Sequence, residues 1–210
     1  MSSSTLYRFS GGALLIGGVL AIIGQLLQIL ADHPGTPLWI PGTWLALGGT
    51  LLVVLGWPGV YFRQVHRAGR LGLLGFVLSL VALLILVGIQ TVDAFVTPAL
   101  AASAATRPLL DFGAIPALNV FELLCGLLLV IGPFLFGMAT IRAGVLPRWA
   151  ALILIVGSVA TLATVLLHNW NEVSTAILFL AIGCFGFVLW SNRDALEVVP
   201  TPPILKEAHN

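Results

Sequence analysis

Apolar residues along this chain gather into six long stretches, at 11–30, 43–61, 71–92, 118–139, 150–167 and 175–190, separated by short segments that carry most of the charges, prolines and histidines. Each stretch is near the ~20 residues a helix needs to cross roughly 30 Å of hydrocarbon, and the shorter ones span when neighbours pack around them. The pattern predicts an all-α, polytopic membrane protein. Its single transmembrane domain of six helices covers 11–190, between an N-terminal tail at 1–10 and a C-terminal tail at 191–210 that contains Pro200, Pro202 and Pro203. The first stretch is too long and too glycine-rich for a secretory signal, and Leu30-Ala31-Asp32-His33-Pro34 is a poor cleavage site, so it is expected to stay as the first helix.

Composition agrees with the pattern. A chain that is 59% hydrophobic and 8% charged, with a mean hydropathy of +1.09, has more apolar surface than a water-soluble fold of this size can bury. The lipid bilayer is therefore its expected partner. Threading the six stretches in order puts Arg8, Arg63, Arg67, Arg70, Arg142, Arg148, Arg193 and Lys206 on the side of the N-terminus and only Arg107 opposite. By the positive-inside rule both termini are cytoplasmic. Segments 31–42, 98–117 and 168–174 then face outward. Trp39, Trp44 and Trp170 fall near the outer boundary and Tyr7, Tyr61, Trp149 and Trp190 near the inner one, as interfacial belts do, with Trp57 a turn further in. The outer half also holds Asp32, Asp93, Asp111, Glu122 and Glu172. The insertion rule removes Lys and Arg from that side but does not require acids there, so these need another explanation.

Two features of the turns stand out. Leu52, Pro58 and Arg67-Ala68-Gly69 recur as Leu127, Pro133 and Arg142-Ala143-Gly144, with Arg70 matched by Arg148, so helices two and three resemble four and five. The relation is parallel, unlike the inverted repeats of many transporters. The segment from Arg142 through Gly144, Pro147, Arg148 and Trp149 resembles an Arg-x-Gly-x-x-Pro-Arg-Trp cytoplasmic turn of small multi-pass bacterial membrane proteins of unknown function. The resemblance covers the C-terminal third. It implies a bacterial inner-membrane protein and transfers no functional residue. Loop 98–117 is longer than the cytoplasmic turns; helix three is expected to continue past Pro98, or a short helix to lie across the outer face.

Candidate chemistry rests on the few polar residues within or beside the helices. A carboxylate in hydrocarbon is expensive and turns to the bundle interior or a partner. Asp93, behind Gln90, and Glu122, behind Asn119, flank the long outer loop, and Gln25 and Gln28 share one face of helix one. With His168 these residues form a candidate pocket for a cation or small amphiphile. His33, His168, Asp32 and Glu172 are the right ligand types for a divalent metal, but no diagnostic metal-binding spacing joins them.

Other chemistries lack their residues. Cys125 and Cys184 lie in apolar helix without a pairing partner nearby, which argues against thiol redox chemistry, and the only lysine, Lys206, is in the tail, which excludes a Schiff base in the membrane. No motif names a cofactor, and nothing points to nucleic acid. Three function classes remain. The favoured one is a non-enzymatic bundle with an outward-facing polar pocket. The second is an intramembrane enzyme on a lipid or isoprenoid, with a carboxylic acid as proton donor and Phe95, Phe112, Phe121 and Trp170 along the path of a carbocation. The third is an accessory or scaffold subunit.

Overall fold

The computed structural model of the protein describes residues 3–31, 33–110, 114–167 and 171–191. Among them every regular element is helical: α1 (Ser3–Ile29), α2 (Trp39–Phe95), α3 (Thr97–Ala101), a 3-10 turn (Arg107–Leu110), α4 (Pro116–Ala143), α5 (Arg148–Leu167) and α6 (Asn171–Ser191). Five helices are long and apolar enough to cross a membrane: α1, α2 continuing through α3 to Ala101, α4, α5 and α6. Their outward faces are apolar as well, with Leu55, Val120, Val156 and Phe187 all more than half exposed. In water such a surface would drive association; in lipid it needs no cover. α1 already begins at Ser3, so described residues 3–10, expected as a polar tail, belong to the first helix.

The second of these helices is not one rod. Gly69 has φ 59° and ψ −163°, outside helical space, and the two arms fold back on each other there. Tyr61 stacks on Phe76 at 4.6 Å between ring centroids, and Trp44 meets Phe95 edge-on at 4.6 Å, pairs placed symmetrically about Gly69. A positive φ is where glycine lacks the steric penalty of a Cβ. Gly144, which ends α4 in the left-handed conformation with its N–H on the Thr140 carbonyl, is the equivalent glycine of the Arg-Ala-Gly repeat. Both hairpins therefore turn on the same tripeptide with the same sign of φ.

Glycines also set how closely the helices approach. A Cβ on Gly49 would lie 2.5 Å from the Ala21 amide nitrogen, and one on Gly24 would lie 2.5 Å from that of Ala46. Gly17 meets Gly49 and Gly24 meets Gly42, so the seven-residue steps 17/24 and 42/49 run antiparallel with backbones in contact. On its other side α1 meets α6 through Gly11 against Gly186 and Gly18 against Gly183. In lipid, where apolar burial drives no helix association, such close backbone packing is the main attraction available. The second arm of α2 packs on α4 in the same way, Gly75 against Phe136 and Gly132 against Ser79. α5 joins α4 to α6, and the α1–α6 contact closes the bundle.

Hydroxyls inside this bundle return their hydrogen bonds to their own helix: Thr50 to the Ala46 carbonyl, Ser79 to Gly75, Thr140 to Phe136 and Ser158 to Leu154. Other polar side chains meet between helices: Gln64 Nε2 donates to Thr140 Oγ1 at 2.9 Å, and the Thr164 and Ser174 hydroxyls share a bond at 3.2 Å. Trp57, a turn further in than the inner belt, is fully buried and packs at 5.0 Å on the equally buried Phe136. Together they plug the middle of the bundle. Arg8, Arg63, Arg67, Arg70, Arg142 and Arg148 sit at one end, with Arg8 over the Trp190 ring and Arg63 over that of Tyr7.

Candidate functional site

At the other end the bundle is open to a cavity of about 290 Å³. Four helices deliver polar pairs to it at the same spacing. Gln25 and Gln28 come from the last turns of α1, Gln90 and Asp93 from the end of the second arm of α2, Asn119 and Glu122 from the start of α4, and Glu172 and Thr175 from the start of α6. Residues three apart on a helix share a face, so each pair points one way. Local structure fixes the phases. α4 starts at Pro116, whose fixed φ suits a first helical position, after the extended Ile115, and this puts Asn119 and Glu122 in its first two turns. Thr97, four residues on from Asp93, continues the face of Gln90 and Asp93 and lines the cavity with them.

Apolar residues complete the walls: Leu86 and Ile89 on α2, Leu118 on α4, and Trp39 where α2 begins. The long loop forms a roof. The helix carries on past Pro98 as α3, and the 3-10 turn brings Leu109 and Leu110 back over the opening. Thr106 Oγ1 donates to the Leu100 carbonyl at 2.7 Å and Arg107 Nη2 to that of Ala101 at 3.1 Å. These bonds satisfy carbonyls that a helix end leaves open, and a cation there opposes the helix dipole favourably. Arg107, the one basic residue threaded to this side, thus serves as a helix cap and does not line the cavity.

The electrostatics are one-sided. Asp93 feels the charges of both Glu122 and Glu172, and among the described residues no Lys, Arg or His lines the cavity. Gln28 Nε2 donates a long bond of 3.4 Å to its own helix, at the Gly24 carbonyl. Gln90 is 5% exposed, and among the described residues neither its amide nitrogen nor its oxygen has a hydrogen-bond partner; Trp39 Nε1 is likewise buried and without one. Such groups normally find a partner, so unpaired ones beside a cavity mark where a bound species donates or accepts.

Of the residues singled out from sequence, Gln25, Gln28, Gln90, Asp93, Asn119, Glu122 and Glu172 meet at this cavity. His168 and Asp32 lie outside the described residues, and His33 is an exposed loop residue that does not line it. Among the described residues no three His, Cys, Asp or Glu side chains come together as a metal site. Two aromatics expected along a carbocation path face elsewhere: Phe95 turns to Trp44, and Phe121 packs beside Gly88, with both side chains partly on the outer surface. Phe112 and Trp170 lie outside the described residues. Sequence reasoning missed Thr97, Thr175 and Trp39; extending each polar pair by one more helical step finds the two threonines. Cys125, one turn below Glu122, is buried with its thiol toward the Ala82 carbonyl at 3.6 Å. Compared with protein families, curated proteins and solved structures, the chain matches none.

Proposed function

We propose that this is a six-span protein of a bacterial inner membrane with both termini cytoplasmic, and that its outward-facing cavity binds a small cation or cationic amphiphile. The fold-back at Gly69 divides the longest of the five apolar helices into two arms, which supports the reading of six spans. The basic end then faces the cytoplasm. The resemblance of the 142–149 turn to small bacterial membrane proteins supports the same placement.

One observation carries the ligand class: three carboxylates and four amides converge on one cavity, and among the described residues its lining contains no basic side chain. Like charges held together over apolar walls repel more strongly than they would in water, and a bound cation relieves that repulsion. The volume is at the small end for ligand sites, which suits a compact molecule. Below the cavity Trp57 and Phe136 close the bundle, giving a blind pocket in this conformation. The acid-catalysed reading loses support because Phe95 and Phe121 do not line the cavity.

The test is thermal melting of the detergent-purified protein with and without n-butylammonium. The wild type is expected to melt several degrees higher with the cation present, and Glu122→Gln, which removes one repelling charge and still folds, to lose that shift. An undiminished shift in Glu122→Gln, or none in the wild type, contradicts the assignment.

A further inference from the structure

The cavity's carboxylates are spread out rather than gathered. Asp93, Glu122 and Glu172 stand on three different helices, and both glutamates act electrostatically on Asp93. Yet among the described residues no three acids or other ligating side chains are close enough to hold one metal ion. A hard divalent cation needs its oxygens within about 2.0–2.6 Å, so a single ion here would leave part of the negative charge unmatched. A cation with two charged ends does not have that difficulty.

A second observation is independent of the acids. Gln90, buried to 5% exposure beside the cavity, has an amide with no partner at either end. Its oxygen suits an N–H donor, and an ammonium brings three. Between the polar pairs the cavity presents Leu86, Ile89 and Leu118, surfaces on which a methylene chain loses nothing by leaving water. Trp39 adds an aromatic ring, to which ammonium groups are attracted.

We propose that the cavity takes a short linear diamine or polyamine, with one ammonium between Asp93 and Glu122 near Gln90, the alkyl chain along Leu86 and Ile89, and the second ammonium at Glu172. This rests on the reading of the cavity as a cation site. Isothermal titration of the full-length protein in detergent with 1,4-diaminobutane, n-butylamine and magnesium tests it. The diamine is expected to bind the wild type about tenfold or more tighter than the monoamine, because the second ammonium adds charge-assisted hydrogen bonds. Glu172→Gln is expected to abolish the preference, so that the diamine and the monoamine bind the variant equally.

Equal binding of the two amines by the wild type, or an undiminished diamine preference in Glu172→Gln, overturns the diamine proposal and leaves the cation site standing. Binding of neither amine overturns both. Magnesium that displaces the diamine at equal concentration also overturns the proposal. The wild-type ratio alone decides the matter if the variant does not fold.

Discussion

Gln90 shows how a single side chain ties stability to function in this bundle. Its amide is buried without a partner, which costs about 1–3 kcal/mol relative to a satisfied or apolar group. Leucine has a similar shape and an equal or better helix propensity, so nothing in α2 demands glutamine there. The orphaned oxygen is tolerable where a ligand's N–H supplies its missing bond. Gln90→Leu is therefore expected to raise the melting temperature of the empty protein while shrinking the shift produced by n-butylammonium. A lower melting temperature in Gln90→Leu would show that the amide is paired in the empty protein, and the site would lose its second support.

Gly69 decides at the scale of elements, because one residue separates a single long helix from two antiparallel arms. A continuous helix would hold Trp44 and Phe95 about 75 Å apart, whereas the hairpin puts their rings 4.6 Å from each other. Cysteines at both positions, in a background lacking Cys125 and Cys184, are expected to be joined within one chain by a short bis-maleimide. Mass spectrometry after proteolysis between the arms reads the link, and its absence would mean the arms do not pair. The apolar runs at 43–61 and 71–92 foretold both arms, and the Arg-Ala-Gly repeat marked both turns. What they did not foretell is that helix continues on both sides right up to Gly69. An Arg-rich connection reads as a loop, yet one left-handed glycine reverses the chain while its neighbours stay helical.

For the whole molecule, legibility followed the polar residues. A helix that is apolar all round carries no stripe to say which face turns inward, so the orientation of Phe95, Phe121 and Trp57 could not be read from their positions in the runs. Paired polar residues at i and i+3 do carry that phase, and for this reason Gln25 with Gln28, Gln90 with Asp93 and Asn119 with Glu122 were recognisable before the fold was seen. Trp39 had no such partner. Its place at the cavity follows from where α2 begins, which depends on the packing of the preceding loop against α3, where Gly35 lies close to Ala101.

The central claim is that these pairs line one outward, water-accessible cavity that a cation can fill. Asn119→Cys in a Cys125→Ala, Cys184→Ala background, reconstituted in sealed vesicles of known orientation, tests it most directly. A membrane-impermeant maleimide is expected to label Asn119→Cys only from the side that also labels Ser103→Cys, and n-butylammonium to slow labelling at Asn119→Cys but not at Ser103→Cys. Labelling of Asn119→Cys from the opposite side, or at a rate the cation does not change, would contradict the account.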